Sequence, residues 1–152
     1  MSGFRTSFFP EVPTWDNASS VAGVLHDLGD YRGARTLHER ALRIRESRLG
    51  AESPETTRSL NNLALVLQDA GDLAQARSLL ERVVRVRERR PGPDHPETAQ
   101  ALHNLAGVLQ ASGDLGAAMP LFERAVRILE QALGPRHIET GTVLGGLGLL
   151  HQ

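Results

Sequence analysis

The chain of 152 residues repeats itself with a period of 42 residues. Segments 54–95 and 96–137 are identical at 23 of 42 positions, which chance does not produce. A Gly-Asp pair returns at the same spacing, as does the tripeptide Pro-Glu-Thr, which begins each of these two segments. A period of roughly 20 to 50 residues is typical of solenoids, propellers and other arrays, so the repeat restricts the fold before any site is considered.

The first half of each repeat has the pattern of an amphipathic helix. Pro54 and Pro96 suit the first helical position, because the N–H that proline lacks would be unpaired there. The glycine of each Gly-Asp pair, Gly71 or Gly113, suits the helix end because it easily adopts a positive φ. Between these limits apolar residues follow at helical spacing, namely Leu60, Leu63, Ala64 and Leu67, then Leu102, Leu105, Ala106 and Leu109.

The second half of each repeat predicts another helix, which Asp72 or Asp114 of the Gly-Asp pair can cap. Its predicted apolar stripe is Ala34, Leu37, Ala41 and Ile44, then Ala76, Leu79, Val83 and Val86, then Ala118, Leu121, Ala125 and Ile128. Charged pairs are expected on its outer face at Glu39/Arg43, Glu81/Arg85 and Glu123/Arg127. Pro91 stands where the other repeats have Leu49 and Leu133, so the second helix of the middle repeat should end early.

One such helix pair cannot bury its apolar stripe alone, whereas stacked pairs can. The sequence therefore predicts an all-α fold, a right-handed α-solenoid of antiparallel helix pairs with about three full repeats and a terminal helix.

Composition excludes several kinds of protein. The chain has no Cys, which rules out disulfides, thiolate catalysis and Cys-based metal sites. Its 17 basic residues, all Arg, nearly balance 18 acidic ones, so charge gives no reason to expect nucleic acid or an anionic membrane as partner. No signal peptide or membrane span is recognisable, and a cytoplasmic location is expected. The use of Arg without Lys is typical of a GC-rich, bacterial genome; selection for bidentate Arg pairing is the alternative.

The unit HPETAQALHNLAGVLQASGDLGAAMPLFERAVRILEQALG resembles the 42-residue tetratricopeptide repeat (TPR) of kinesin light chains, a class found in many bacterial regulatory proteins. The resemblance covers nearly the whole chain. It implies an N-terminal arm at 1–13 and a TPR domain at 14–152, with repeats at about 12–53, 54–95 and 96–137 and a partial repeat at 138–152.

The resemblance also implies that the first helices of successive repeats line a concave groove for a peptide or helix of a partner protein. The positions carried over are Asp16, Ser20, Gly23, His26 and Asp27; Arg58, Asn61, Asn62, Leu65, Gln68 and Asp69; and Gln100, His103, Asn104, Gly107, Gln110 and Ala111. Asn62 and Asn104 stand out because an amide both donates and accepts hydrogen bonds; solvated amides, or amides bridging adjacent helices, are the alternative. Acidic groove residues outnumber Arg58, so a strongly acidic partner is not expected.

Two terminal segments raise the possibility of self-association. The partial repeat presents Leu144, Leu147, Leu149 and Leu150, whereas a terminal repeat normally has a polar outer face. A homo-oligomer through this helix is one expectation, and continuation into further repeats is the other. The N-terminal arm contains Phe4, Phe8 and Phe9, whose role the sequence leaves open.

No pattern indicates catalysis, a cofactor or a metal. His95 and His137 are copies of one helix-start position, and no nucleotide-binding or nucleophile motif is present. The expected function is therefore a non-enzymatic scaffold without cofactor or metal. The alternatives are the repeat part of a larger signalling or regulatory NTPase, and a self-associating module.

Overall fold

The computed structural model describes the backbone of residues 15–133 and the side chains of residues 21–133. All regular structure in this range is helical, and the helices are α1 (Trp15–Asp27), α2 (Tyr31–Leu49), α3 (Pro54–Asp69), α4 (Leu73–Arg89), α5 (Pro96–Ala111) and α6 (Leu115–Leu133). They belong to two compact units, Met1–Ala70 with α1 to α3 and Gly71–Gln152 with α4 to α6. The predicted N-terminal arm and the partial repeat, with Leu144, Leu147, Leu149 and Leu150, lie outside the described residues.

The first helices α3 and α5 begin and end where the sequence predicts. Ser53 caps α3, accepting a hydrogen bond from the backbone N–H of Thr56 at 3.1 Å, and His95 caps α5 through Nδ1. Gly71 has a φ of 91° and Gly113 a φ of 88°. A side chain would strain that conformation, so the glycines stop both helices as expected.

The predicted aspartate caps are confirmed on α4 and α6, and Asp30 caps α2 in the same way. The carboxylate of Asp30 accepts from the backbone N–H of Gly33 at 3.0 Å. Asp72 and Asp114 do the same three residues ahead, at 3.3 and 3.2 Å. Each cap satisfies a donor that the first turn of a helix would otherwise leave unpaired.

The threonine of Pro-Glu-Thr ties each first helix to the loop before it. The Thr56 hydroxyl donates to the carbonyl of Gly50 at 2.7 Å, and the Thr98 hydroxyl lies 2.5 Å from the carbonyl of Gly92. Both threonines are fully buried. The bond fixes the connection between consecutive repeats and explains why this threonine recurs every 42 residues.

Pro91 shortens the second helix of the middle repeat, as predicted. Helix α4 ends at Arg89, whereas α2 and α6 continue to Leu49 and Leu133, the positions in register with Pro91. The residue before a proline is biased away from helical backbone angles, which accounts for the earlier end.

The buried stripe of the second helices is wider than predicted. The alanines at the predicted core positions, Ala34, Ala41, Ala76, Ala118 and Ala125, have no exposed surface. However, Leu37, Leu79 and Leu121 are only half-buried, and their neighbours His38, Leu80 and Phe122 occupy the core. In the first unit α2 packs against both α1 and α3, so it buries two adjacent faces where the sequence indicated one.

The outer charged pairs form with the other neighbour. Glu39 binds Arg35 and Glu81 binds Arg77, each at 2.8 Å, so the predicted pairs with Arg43 and Arg85 are wrong. Each of these glutamates has an arginine one helical turn away on both sides, and spacing alone does not choose between the two.

His38 is a buried polar residue in a position that the other repeats fill with Leu80 and Phe122. Its side chain is 4% exposed, and Nδ1 has no hydrogen-bond partner within the described part of the chain. Burial lowers the pKa of His38, and the nearby His26 and Arg45 lower it further. The imidazole is therefore neutral at pH 7.

Replacing a capping aspartate is expected to destabilise the chain. Asp72→Ala leaves the Gln75 backbone N–H without its acceptor and should lower the free energy of unfolding by about 1 kcal/mol. Asp94→Ala, at an exposed loop position, is the matched control. Urea unfolding followed by circular dichroism measures both, and equal stability of the two variants would contradict the capping role.

His38→Leu is expected to stabilise the protein, because it copies Leu80 and removes an unpaired buried nitrogen. The gain should be about 1–3 kcal/mol at pH 7.5. Leu80→His, the reverse change at the equivalent position, should destabilise.

The gain from His38→Leu should grow as the pH falls. Above about pH 6.5, the ordinary pKa of histidine, His38 is neutral in both folded and unfolded chains. Below it the unfolded chain binds a proton that the folded one resists, because the folded pKa is lowered, so the native sequence loses stability. Urea unfolding of both proteins at pH 7.5 and 5.5 measures the difference between their free energies of unfolding. The other histidines are present in both proteins, so their contribution cancels in this difference. A gain that shrinks at pH 5.5 would show that the pKa is not lowered.

Candidate functional site

The polar face of α3 is built from residues that the core leaves uncovered. Leu60, Leu63 and Leu67 are buried on one side of the helix. The predicted groove residues lie on the other side, none of them buried: Asn61, Asn62, Leu65 and Gln68 are half-buried, and Arg58 and Asp69 are exposed. This face is therefore accessible along about three turns of the helix.

A pocket of about 200 Å³ opens within the first unit, beside Asn62. Its wall is formed by Gly23, His26, His38, Asn62, Leu65 and Val66. Four of these six residues, Gly23, His26, Asn62 and Leu65, are groove positions carried over from the resemblance. The structure thus brings predicted residues of α1 and α3 together around one concavity.

A hydrogen-bonded pair joins the two first helices of this unit. The imidazole Nε2 of His26 on α1 contacts the carboxylate of Asp69 on α3, and the His26 ring packs at 5.4 Å from the ring of Tyr31. Asp69 therefore already has a partner within the chain, whereas Asp27 is exposed. The pair also holds the His26 ring in place at the pocket wall.

Helix α5 presents the corresponding polar face in the second unit. His103, Asn104, Gly107 and Gln110 are half-buried, and Gln100 and Ala111 are exposed. The His103 ring meets Phe122 edge-on at a centroid distance of 5.5 Å, and burial lowers the pKa of His103. Neither His38 nor His103 therefore adds positive charge to its surface at neutral pH.

The remaining predicted positions are only partly within reach of the structure. The side chains of Asp16 and Ser20 on α1 are outside the described side chains.

Sequence reasoning missed His38, because the resemblance points to the first helices and His38 lies on a second helix. The 42-residue register contains the signal, since it aligns His38 with Leu80 and Phe122.

A second concavity, of about 250 Å³, lies in the second unit, where Arg124 of α6 contacts α4 and the loop that follows it. It is lined by Asp94, Arg124, Arg127, Ile128 and Gln131. Arg124 already donates to the carboxylate of Glu88 at 2.7 Å and to the carbonyl of Pro93 at 3.4 Å. Its charge is thus used to join α6 to α4 and the following loop.

Neither a metal centre nor a membrane span was found in the described range. No group of three or more His, Asp or Glu side chains there is placed to hold a metal ion. None of the described helices combines the length and apolar character needed to cross a bilayer.

Solved structures of repeat proteins match this fold over most of the chain. A structure from Podospora anserina, described as a putative kinesin light chain with nearly identical TPR-like repeats, is 27% identical, with a TM-score of 0.82. The match covers 88% of this chain and 64% of that one. BtubC (BKLC) from P. vanneervenii is 21% identical with a TM-score of 0.80, over 90% of this chain and 55% of that one. The chain thus spans less than two thirds of the length of either structure.

A more distant match extends the same comparison. The N-terminal domain of stress-induced protein-1 (STI-1) from C. elegans is 15% identical with a TM-score of 0.63, over 91% of this chain and 94% of that domain. A search of curated proteins gave no match. These similarities confirm the predicted all-α solenoid class of fold.

The tetratricopeptide repeat family matches the sequence itself, over residues 16–89 and again over 55–131. The two matches overlap and together span most of the chain. The chain belongs to the tetratricopeptide repeat family, in the kinesin light chain-like class.

Proposed function

We propose that this chain is a cytoplasmic scaffold that presents the first helices of its repeats to a peptide or helix of a partner protein. Tetratricopeptide repeats are in general protein-interaction modules and typically have no enzymatic activity, and we extend both properties to this chain. The observation that carries the proposal is the pocket in the first unit, since four of its six wall residues are groove positions of the family.

The chemistry of these surfaces suits the backbone of a bound peptide. Asn62 lines the pocket and Asn104 is half-buried at the equivalent place on α5. A carboxamide can donate to a peptide carbonyl through its nitrogen and accept from a peptide N–H through its oxygen at the same time, which an aliphatic side chain cannot do. Leu65 supplies an apolar contact one helical turn away from Asn62.

The charge around the pocket favours a neutral or mildly basic partner. His38 is neutral, Asp69 is paired with His26, and Asp27 is exposed. A surface that reads acidic motifs needs several inward-facing cations, and Arg58 is the exposed cation among the predicted positions of α3. A partner with strong negative charge would find little to neutralise it.

A second proposal makes this chain the repeat part of a larger signalling or regulatory NTPase. It is compatible with the greater length of the two kinesin light chain-like structures, of which the chain spans 64% and 55%. In that setting the same surfaces would bind a ligand or another domain of the larger protein.

Removal of the two amides is expected to weaken peptide binding strongly. Blocked peptides selected by display against the purified chain should lose about tenfold in affinity with Asn62→Ala or with Asn104→Ala, the loss of one to two hydrogen bonds each. Fluorescence anisotropy measures the affinities.

Gln131→Ala is the matched control, because it removes an exposed amide from α6, a second helix. It should leave binding unchanged. Amide variants that bind as tightly as the native chain would mean that Asn62 and Asn104 are merely solvated. Selected peptides that are mostly acidic would contradict the proposed charge of the partner.

We further propose that Leu144 and Leu147 of the partial repeat, with Leu149 and Leu150, associate with a second copy. Light scattering across a dilution series should give a mass above the 16.5 kDa of one chain. Leu144→Glu combined with Leu147→Glu should reduce it to that of one chain, because two carboxylates cannot be buried unpaired. A multimer that survives this change would be held together elsewhere.

A further inference from the structure

The floor of the first-unit pocket is polar at a place where the repeat is otherwise apolar. Position 38 is histidine, whereas the positions 42 and 84 residues further on are Leu80 and Phe122, which are 0% and 1% exposed. His38 is buried as they are, at 4%. A buried polar residue at a repeat position that is otherwise apolar, without a hydrogen-bond partner in the chain, marks a candidate site.

The buried Nδ1 of His38 lacks a hydrogen-bond partner within the described part of the chain. Two neighbouring polar residues have partners of their own: His26 is bound to Asp69, and Nη1 of Arg45 donates to Ser59 at 2.6 Å. Because His38 also lines the pocket, its imidazole is available to a group that enters from outside.

The pocket has the size and walls of a site for one side chain. Its volume of about 200 Å³ is below the roughly 300 to 1,000 Å³ of pockets for small molecules. Leu65 and Val66 give an apolar wall, Asn62 and His38 give polar groups, and Gly23 leaves an opening. A Cβ built on Gly23 meets no atom within 4 Å, so glycine leaves room there.

We propose that this pocket selects one side chain of the bound partner, a small uncharged one that hydrogen-bonds: a hydroxyl or a carboxamide, as in Ser, Thr or Asn. His38 and Asn62 are the specificity-determining residues. The inference rests on the proposed peptide-binding function and adds the chemical class of the anchor residue.

Anchor side chains of either charge are disfavoured in this pocket. A carboxylate entering the pocket would meet the neutral imidazole of His38 and no arginine, because the wall residues include none. An ammonium group would be desolvated against Leu65 and Val66, and the wall residues include no carboxylate to pair with it. A purely aliphatic anchor would leave His38 unpaired.

Two variants test the assignment in different ways. His38→Leu gives the pocket the floor of the middle repeat. Gly23→Leu fills the opening from α1, where a Cβ has free space and leucine is a better helix former than glycine. Gln131→Ala on α6 is again the control. Melting temperatures no lower than that of the native chain show that each variant is folded.

The first probe is a set of blocked peptides from the display selection, with the anchor position changed among Thr, Asn, Val, Asp and Lys. The native chain should prefer Thr or Asn. His38→Leu should weaken those peptides roughly five- to tenfold, the loss of about one hydrogen bond, and leave the Val peptide within about twofold. Gly23→Leu should weaken all of them.

The second probe is acetamide alone, with acetate and methylammonium for comparison, followed by the imidazole ¹⁵N resonances of His38. Acetamide should shift them saturably in the native chain and in Gln131→Ala, and not in Gly23→Leu. Acetate or methylammonium binding more tightly than acetamide would overturn the uncharged anchor.

The two probes separate the two proposals. Peptides that bind with no anchor preference, or with a preference that both pocket variants retain, overturn the pocket assignment and leave the scaffold function standing. Saturable acetamide binding without any selected peptide supports the pocket and removes the peptide-binding proposal. Failure of both probes overturns both.

Discussion

Close packing of helices at buried alanines is the contact on which the rest of the structure depends. Five alanines of the second helices have no exposed surface, and Ala22 joins Ala34 and Val66 in one cluster of the first unit. A methyl side chain lets helix axes approach near the lower end of the usual range of about 8–10 Å. Larger residues would separate the helices at a cost of about 1–3 kcal/mol each. Val66 also forms one wall of the pocket, so core packing and the candidate site share a residue.

Features that depend on one or two neighbouring residues were predictable from the sequence. The Asp72 cap needs only a carboxylate three residues before a backbone N–H, and the helix end before Gly71 needs only a residue that tolerates positive φ. The early end of α4 follows from Pro91 in the same way. These are local consequences of backbone geometry. The caps and the helix-ending glycines recur every 42 residues, and Pro91 differs from the leucines that occupy the same position in the other two repeats.

Features that depend on three packed helices were not predictable. The sequence places Leu37 and His38 next to each other, and only the contacts of α2 with both α1 and α3 decide that His38 is the more buried. The choice of Glu39 between two arginines is likewise made by side-chain packing. Of the candidate site, the first-helix positions followed from family resemblance, while the second-helix floor at His38 emerged only from the structure.

The hydroxyl bonds from Thr56 to Gly50 and from Thr98 to Gly92 have a consequence for how such chains lengthen. Each bond spans the loop between one repeat and the next, so the junction is as well specified as the interior of a repeat. A gene duplication of 42 codons therefore recreates a complete set of caps and loop anchors wherever its breakpoints fall. The duplicated segment must therefore be 42 residues long, but it can begin at any position of the repeat, because the loops between repeats are held as firmly as the helices within them.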